Sequence, residues 1–386
     1  MPIPSAITRR QLIQGVAALP AIRAFGQATA ASGAEHRLFA GTYTGKGSRG
    51  IYAASFNSDT GELSDFRLAA ETESPSFLAL HPNGKLLYAV NEVDHFQGQS
   101  AGAVSAFSID GATAKLTFLN QVSSRGGGPC HISIDRTGKT VAVANYDGGS
   151  FALFPVQASG QLGVASQFVK IQGKGPNADR QEGPHTHSVN ISPDNATLVV
   201  ADLGTDQLLV YRLHPATATV TPADPPFAKV DPGSGPRHAA FSRDSQYLYV
   251  LNEIKSTLAT FRFDAGSPRL TRLGSTTTLP KGFGGENTTA ELAIDRAGRF
   301  LYASNRGNDS LAIFDLHDGA APRLIGVQST GGKEPRHFTL DPSENWVLAA
   351  NQNSDNVVVF ARNRNTGLLK PTGQKVALSQ PVYLLF

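Results

Sequence analysis

Short apolar runs separated by glycine, proline and polar turns follow one another along residues 36–386. These runs lack the period of about 3.6 residues that marks a helix, which favours strands. One run recurs at intervals of 46 to 55 residues. Its seven copies begin at Pro75, Pro129, Pro184, Pro236, Thr289, Pro335 and Pro381. A regular spacing of this length indicates a repeat architecture.

Each repeat contains further strands in a fixed order. A β-rich run ending in a small polar residue comes second, an alternating run ending in an aromatic residue comes third, and a weaker run follows. Four short strands per repeat are typical of a propeller blade. The last repeat has only its first strand, from Pro381 to Phe386, and the first repeat has only its later strands, from Leu38 onward.

The two incomplete repeats together make one complete blade. The sequence therefore predicts an all-β fold, a seven-bladed β-propeller with four antiparallel strands per blade. The ring is closed by N- and C-terminal strands in one blade, which leaves no edge strand exposed at the seam. Residues 36–386 are predicted to form a single domain.

Composition excludes several other classes of protein. Apolar residues make up 40% of the chain and charged residues 17%, unlike a disordered chain. Cys130 is the only cysteine, which excludes an internal disulfide and a cysteine-cluster metal site. Without Arg9, Arg10 and Arg23, the 34 basic residues fall to 31, equal to the 31 acidic residues. A neutral domain gives no reason to expect a nucleic-acid partner.

Residues 1–30 have the layout of a twin-arginine export signal. Arg9 and Arg10 precede an apolar run from Leu12 to Ile22, and a small-x-small sequence ends at Ala30. The mature protein is therefore predicted to be periplasmic or secreted. The alternative is a basic N-terminus that is never cleaved, on a cytoplasmic protein. No other segment approaches the ~18 apolar residues of a membrane-spanning helix, so no membrane association is expected after signal removal.

The antiparallel order of the strands locates a candidate site. The start of each first strand lies beside the end of the second strand, and the first strand lines the channel of a propeller. Residues at these two places therefore meet at one mouth of the channel. The third residues of six anchors are Phe77, His131, His238, Glu291, His337 and Tyr383. The anchor at Pro184 has two extra residues, so Ser188 takes the equivalent position, with His187 one position before it. The ends of the second strands contribute Glu92, Tyr146, Asp202, Asn252, Glu253, Arg306, Asn351 and Gln352.

These residue types suit acid–base chemistry and anion binding. Histidine titrates near neutrality and serves as a general base. Arginine, here Arg237 and Arg336, presents a fork of N–H groups to a carboxylate, a phosphate or a developing oxyanion. The alternative is that the repeated histidines only join one blade to the next. Phe77, Glu291 and Tyr383 replace histidine in three repeats, and this variation favours a functional site.

Four parts of the chain resemble the seven-bladed lactonase family. They are residues 128–138 (GPCHISIDRTG), residues 187–213 (HSVNISPDN and ADLGTDQLLVYRL), residues 233–253 (GSGPRHAAFS and YVLNE) and residues 333–360 (KEPRHFTLDPS and LAANQNSDNVVVF). That family includes propeller-type 6-phosphogluconolactonases and fungal carboxymuconate-lactonizing enzymes. The resemblance covers essentially all of residues 36–386. It implies metal-independent opening or closing of a lactone at the channel mouth.

The leading hypothesis is a 6-phosphogluconolactonase-like lactone hydrolase that opens a sugar or sugar-acid lactone. A neutral histidine would deprotonate the attacking water, a glutamate would orient that imidazole, and an arginine would anchor or polarise the substrate. The predicted catalytic residues are His131, His187, His238, Glu253 and Glu291. The predicted substrate-binding residues are Arg237, Arg306, Arg336, His337, Tyr146, Asn252 and Gln352.

Several alternatives stay open. The same arginines suit a cycloisomerase that lactonises a muconate-type dicarboxylate. A rival of a different class is a propeller that binds a ligand or partner at its mouth without catalysis. No cofactor or metal is expected, although His185 and His187 suit zinc, and Asp202, Asn252 and Glu253 suit calcium. The expected partner is a small-molecule lactone. Because a closed ring needs no second copy, a monomer is expected.

Overall fold

The computed structural model of the protein describes residues 34–45 and 47–386. The predicted export signal, residues 1–30, lies outside these described residues. The described chain contains strands β1 to β29 in seven sheets, together with a 3₁₀ helix at Gln352–Ser354. No helix in this part of the chain is long and apolar enough to cross a membrane.

Each sheet forms one blade, and the blades are numbered here in chain order. Blade 1 consists of β1 (Glu35–Thr42), β2 (Gly50–Asn57), β3 (Glu62–Leu63), β4 (Arg67–Glu71) and β29 (Pro381–Leu385). Blade 2 consists of β5 (Leu78–Leu80), β6 (Leu86–Asn91), β7 (Ala103–Ile109) and β8 (Leu116–Ser123). Blade 3 consists of β9 (Pro129–Ile134), β10 (Thr140–Asn145), β11 (Ser150–Pro155) and β12 (Gln167–Lys170).

The remaining four blades follow the same order. Blade 4 consists of β13 (Thr186–Ile191), β14 (Thr197–Asp202), β15 (Gln207–His214) and β16 (Thr219–Lys229). Blade 5 consists of β17 (Pro236–Phe241), β18 (Tyr247–Asn252), β19 (Thr257–Asp264) and β20 (Arg269–Thr277). Blade 6 consists of β21 (Thr288–Ile294), β22 (Phe300–Arg306), β23 (Ser310–Asp315) and β24 (Arg323–Ser329). Blade 7 consists of β25 (Pro335–Leu340), β26 (Trp346–Asn351), β27 (Asn356–Arg362) and β28 (Leu369–Ala377).

The strands of each blade pair antiparallel, with the first strand innermost. In blade 1 the innermost strand is β29, which pairs with β1 so that Phe39 lies opposite Leu385, and the short strands β3 and β4 both pair with β2. Neighbouring innermost strands contact one another, and β29 lies against both β5 and β25. The predicted seven-bladed propeller, closed by the two chain ends in one blade, is confirmed.

The hydrophobic core lies between the blades. Val199 of blade 4, for example, belongs to the same buried cluster as Phe261 of blade 5. Another cluster joins Phe56 of blade 1 to Leu348 of blade 7 and so closes the ring. Each such apolar side chain contributes about 1.5–3 kcal/mol when it is fully buried. Every blade is therefore stabilised mainly by its neighbours, and this holds the channel residues in a fixed frame.

The seam between blades 1 and 7 is also fixed by a side chain. The indole Nε1–H of Trp346 donates to the carbonyl oxygen of Ser58 at 2.8 Å. Gly61 has a φ of +76°, and a Cβ at this position would lie 2.5 Å from the Trp346 ring. Only glycine fits there, because both the backbone conformation and the close ring exclude a side chain.

A β-bulge at the channel mouth recurs in blades 1 and 3 to 7. In these blades the register between the innermost strand and the next strand shifts by one residue near the anchor, as between Pro236 and His238. A bulge sets two residues opposite one and re-aims their side chains. The second and third residues of an anchor, such as Arg237 and His238, can therefore both reach the channel instead of alternating between the two faces of the strand.

Candidate active site

Aromatic side chains form a packed layer across the channel. The ring centres of Phe77 and Tyr383 lie 4.0 Å apart, those of Phe77 and His131 4.3 Å, and those of His131 and His238 5.1 Å. His337 completes the layer at 4.1 Å from Tyr383. Phe77, His131 and Tyr383 also line a cavity on the far side, whereas Phe77, His238 and His337 line a recess on the mouth side. The layer therefore separates the mouth from the rest of the channel.

Glu253, directly after β18, holds three arginines at the mouth. Its Oε1 accepts from Nη2 of Arg180 at 2.5 Å. Its Oε2 lies 3.0 Å from Nε of Arg237 and 3.0 Å from Nη2 of Arg306. His187 Nε2 is 3.8 Å from the same oxygen, beyond hydrogen-bond distance. Glu253 therefore positions guanidinium groups, and within the described part of the chain it accepts no hydrogen bond from an imidazole.

Electrostatics explains why Glu253 stays ionised. Burial raises the pKa of Glu253, but Arg306, Arg237 and Arg180 outweigh burial and lower it to about 2. Burial, with Arg306 and Arg336 adding repulsion, lowers the pKa of Arg237 to about 10. At pH 7 one carboxylate thus faces three charged guanidiniums, a local charge of +2. A carboxyl group with so low a pKa is a poor general base.

Glu291 makes the imidazole–carboxylate pair of the site. Its Oε2 lies 3.0 Å from Nδ1 of His238 and 3.4 Å from Nε2 of His337, and its Oε1 accepts the backbone N–H of Leu292 at 2.9 Å. Burial raises the pKa of Glu291, although His337 and Arg237 act in the opposite direction. Of the two glutamates predicted to orient an imidazole, the structure places Glu291 within hydrogen-bond distance of one.

Arg237 stacks on the face of His238. Its Nη1 lies 3.2 Å from Nδ1 and 3.0 Å from Nε2 of the imidazole. An atom nearly equidistant from both ring nitrogens at this range must lie over the ring, because the in-plane position would overlap Cε1. Burial, followed by the charge of Arg237, lowers the pKa of His238 well below its usual value. His238 is therefore neutral at pH 7, and its Nδ1–H donates to Glu291.

His131 and His337 are oriented by the next blade. Nδ1 of His131 accepts the backbone N–H of Val189 at 3.4 Å, and Nδ1 of His337 accepts that of Leu384 at 3.2 Å. A neutral imidazole has one donor and one acceptor nitrogen, so Nε2 carries the proton in both. These two histidines therefore make the blade-to-blade contacts that the structural alternative predicts. His238 also contacts the next blade, but its Nδ1 lies against the Glu291 carboxylate instead of a backbone N–H.

The recess on the mouth side of the layer has polar walls. It is lined by Ser76, Phe77, Glu92, Cys130, Arg237, His238, Glu291, Arg336, His337 and Val382. Its void of about 10 Å³ is the size at which a polar cavity begins to hold one water. Arg336 makes no hydrogen bond or ion pair with any residue of the described chain, and its guanidinium lies 5.2 Å from the ring centre of Tyr43. The ring of Tyr43 and the charges of Glu92 and Glu253 hold Arg336 in place, and its N–H groups remain able to donate to a ligand in the recess.

Three other predicted substrate-binding residues lie around this centre. The Tyr146 hydroxyl accepts from Arg180 Nη2 at 3.3 Å, which places it beside the Glu253 cluster. Asn252 donates to Thr257 Oγ1 at 3.0 Å within its own blade. Gln352 lies in the 3₁₀ helix and is partly exposed. The structure brings Tyr146 to the cluster and makes no such contact for Asn252 or Gln352; their predicted roles in binding stay predictions.

His185 and Asp202, two of the candidate metal ligands, have hydrogen-bond partners within the protein. Among residues 34–45 and 47–386, no group of three or more histidine, cysteine, aspartate or glutamate side chains is arranged to hold a metal ion. The two ring nitrogens of His185 make hydrogen bonds to the Tyr146 carbonyl and to Glu182. Both carboxylate oxygens of Asp202 accept hydrogen bonds, Oδ2 from Thr186 on the neighbouring strand β13 and Oδ1 from Thr205 in the following turn.

Sequence reasoning missed two residues at the mouth. Tyr43 donates its hydroxyl to Glu92 Oε1 at 2.8 Å and lies beneath Arg336. It occupies the position after the second strand, which Glu92 and Tyr146 occupy in other repeats, so the repeat itself could have indicated it. Arg180 lies in a segment outside the repeat, where no periodic signal marks it.

Buried histidines should make the protein sensitive to mild acid. Burial lowers the pKa of His337 to about 4, although Glu291 acts in the opposite direction, and burial lowers the pKa of His131, His187 and His238 as well. The unfolded chain takes up these protons near pH 6.5 and the folded protein only at lower pH, so stability is lost as the pH falls. At pH 5 the loss from His337 alone is about 2 kcal/mol.

We therefore expect Tm to fall steeply between about pH 6.5 and pH 5. His337→Gln should flatten this fall, whereas His214→Gln, at an exposed position on β15, should leave it unchanged. Thermal unfolding followed by circular dichroism at half-unit pH steps measures both. A Tm of the wild type that stays constant over this interval would contradict the assignment of neutral buried histidines.

The fold and the site define a β-propeller with a recess at one channel mouth that is lined by histidine, arginine and glutamate side chains. The family model described as "Lactonase, 7-bladed beta-propeller" matches residues 37–386. A 6-phosphogluconolactonase of Bacillus subtilis is 34% identical over 349 residues, covering 90% of this chain and 97% of the relative. The chain therefore belongs to the seven-bladed β-propeller lactonase family, as the sequence resemblance predicted.

Other relatives extend the comparison. A 6-phosphogluconolactonase of Formosa agariphila is 35% identical over 350 residues, covering 89% of this chain and 97% of the relative. The solved structure of a periplasmic gluconolactonase of Pseudomonas aeruginosa has a TM-score of 0.85 at 34% identity, covering 91% of this chain and 98% of that one. Relatives of Lactococcus lactis at 31–32% identity are named only as uncharacterized proteins.

Proposed function

We propose that the protein is a lactone hydrolase, similar to 6-phosphogluconolactonase, that opens the ring ester of a sugar lactone by attack of water. One observation carries the proposal: the His238–Glu291 pair and Arg336, whose guanidinium makes no hydrogen bond with the described residues, line the same water-sized recess. Membership of the lactonase family supports the reaction class. The roles of the individual residues follow from the geometry of the recess.

His238 acts as the general base. Its Nδ1–H is held by Glu291 at 3.0 Å, so the proton acceptor is Nε2. Because its pKa is lowered, the imidazole is neutral at pH 7, so the lone pair of Nε2 is not occupied by a proton. Glu291 then stabilises the imidazolium that forms during attack. General-base catalysis of this kind contributes about 10²–10⁴-fold to a rate.

Arg336 and Arg237 stabilise the charge that develops on the lactone carbonyl. Both line the recess, and their guanidinium groups remain charged through the reaction. N–H groups fixed in advance beside the carbonyl oxygen stabilise the oxyanion more than the neutral ester. Since the Glu253 carboxylate holds Nε of Arg237, the position of this guanidinium does not depend on substrate.

The steps balance without a cofactor. The water oxygen bonds to the carbonyl carbon while its proton passes to Nε2 of His238, giving a tetrahedral oxyanion. The ring C–O bond then breaks, and the imidazolium returns the proton to the departing oxygen. The product is the open-chain hydroxy acid, and His238 is neutral again.

Both phosphorylated and unphosphorylated lactones are candidate substrates. The named relatives include both a 6-phosphogluconolactonase and a periplasmic gluconolactonase. Export through the predicted signal would bring this chain to unphosphorylated lactones outside the cytoplasm. The paired use of a phosphorylated and an unphosphorylated lactone therefore tests the reaction and the substrate together.

The decisive experiment measures hydrolysis of 6-phosphogluconolactone and glucono-δ-lactone by the purified protein, with spontaneous opening subtracted. We expect catalysed opening of at least one lactone, with kcat/KM nearly constant from about pH 6.5 down to about 5.5. A histidine of ordinary pKa would lose activity over that range, whereas the lowered pKa of His238 preserves it. Rates equal to the uncatalysed reaction for both lactones would contradict the proposal and favour the cycloisomerase or the binding propeller.

A further inference from the structure

One connection between neighbouring blades differs from the other six. Residues 171–185, between β12 and β13, form a fifteen-residue connection without a strand. The other six connections from an outer strand to the next innermost strand have three to ten residues. Long connections on a rigid scaffold are common places for residues that bind ligands. This connection is called the mouth loop here, because it reaches Glu253.

The mouth loop is braced from inside. Gln181 is fully buried, and its Nε2 donates to the carbonyl oxygen of Leu203 at 2.7 Å and to Oδ1 of Asp206 at 2.8 Å. Its Oε1 accepts the backbone N–H of Asn177 at 3.1 Å. The side chain of Asn177 in turn accepts the backbone N–H of Arg180 at 3.1 Å. These bonds fix the backbone on both sides of Arg180, so its side chain is presented from a defined point.

Arg180 is the exposed member of the Glu253 cluster. Its side chain is 38% exposed, against 4% for Arg237 and 10% for Arg306. Nη2 makes both of its hydrogen bonds, to Glu253 and to the Tyr146 hydroxyl. Nε and Nη1 make none with the described residues. Nη2 is thus committed to the protein, and the N–H groups of Nε and Nη1 are available at the mouth.

The excess positive charge of the Glu253 cluster gives a reason for the free N–H groups of Arg180. Glu253 alone compensates only one of the three guanidiniums around it, and two of these are almost completely buried. Buried charges without a partner are costly, so such a cluster favours an anion from outside. An anion approaching from the solvent meets Arg180 first, since the other two arginines lie deeper.

We propose that Arg180 is a specificity-determining residue that binds a second anionic group of the lactone, a phosphate or a carboxylate remote from the ring ester. This inference rests on the proposed lactonase function. Glu253 and Tyr146 occupy Nη2 of the Arg180 guanidinium, and the N–H groups of Nε and Nη1 remain to donate charge-assisted hydrogen bonds to the anion. The lactone ring then lies over the recess that holds His238.

The test compares three lactones: 6-phosphogluconolactone with a phosphate, glucaro-1,4-lactone with a carboxylate, and neutral glucono-δ-lactone. Arg180→Gln should raise KM about tenfold to a hundredfold for the anionic lactones that the wild type opens. It should change KM for the neutral lactone less than about threefold, and Arg180→Lys should fall between. Lys174→Gln is the matched control, because Lys174 is an exposed cation of the same loop without a hydrogen bond to the described residues.

The outcomes separate this inference from the function on which it rests. Equal losses for all three lactones would overturn it, because Arg180 would then act only through Glu253. If the wild type opens none of them, calorimetric binding of 6-phosphogluconate and gluconate decides. The inference would be supported, although the hydrolase proposal would fail, if the wild type bound 6-phosphogluconate more tightly than gluconate and Arg180→Gln bound the two acids equally. Equal or absent binding of the two acids would overturn both.

Discussion

Replacing His238 by asparagine is expected to lower kcat for lactone opening by about 10²–10³-fold with little loss of stability. The asparagine Nδ2–H₂ group can take the place of the imidazole Nδ1–H and keep the hydrogen bond to Glu291. The variant has no atom at the position of Nε2, which is the proposed proton acceptor. The change therefore removes the base and leaves its carboxylate partner paired.

Steady-state kinetics and thermal unfolding of the same preparation measure the two expectations. His214→Asn is the matched control, because His214 is exposed on the rim of blade 4 and should leave kcat unchanged. A His238→Asn enzyme within about fivefold of the wild type would show that another group removes the proton. His187, 5.2 Å from His238 between ring centres, would then be the next candidate.

The fold could be predicted from the sequence because the signal is repeated. Seven strands open at Pro75 and its equivalents, and each is followed by the same order of strands. Single short strands are ambiguous in isolation, but a repeated order is not. The partial repeats at Leu38 and Pro381 predicted the mixed blade, since neither end can bury its apolar face alone.

The sequence could predict which residues share the channel mouth, but not how their side chains contact one another. Strand order placed His238, Glu291 and Glu253 at one mouth, and the structure brings them together. The β-bulge could not be predicted, because one extra residue at Arg237 leaves no periodic trace. The ring orientation of His131 was equally hidden, since it depends on a backbone N–H of the next blade.

Two residues show the limits of a positional argument. Asn252 is predicted from its position to bind substrate, and the structure shows its amide bonded to Thr257 five residues later. Asn145 and Asn305 make the corresponding bond to Ser150 and Ser310, so the recurrence of this asparagine has a structural explanation, while the role of Asn252 in binding stays a prediction. Arg180 illustrates the opposite case, because a residue outside the repeat cannot be placed by comparing repeats.

Glu253→Gln is expected to destabilise the folded protein by about 3–5 kcal/mol at pH 7, since removing one partner of a buried ionic cluster leaves the others uncompensated. Three guanidiniums would then face a neutral amide, and the amide N–H₂ would oppose their N–H groups. Denaturant unfolding measures the change. Glu62→Gln, which removes one exposed carboxylate with no hydrogen bond from its side chain to the described residues, controls for net charge.

Two further measurements identify the cause of that loss. The double variant Glu253→Gln/Arg180→Gln also lacks one cation of the cluster, which should restore part of the lost stability. Added phosphate should stabilise the single variant more than the wild type.

The pKa of about 2 also sets a pH window, because the contribution of Glu253 to stability is present above its unfolded pKa of about 4.5. This contribution is lost as the pH falls towards 2, so wild type and Glu253→Gln should converge in acid. A single variant within about 1 kcal/mol of the wild type at pH 7 would contradict the central role of this carboxylate, since an uncompensated buried cluster costs several times that amount.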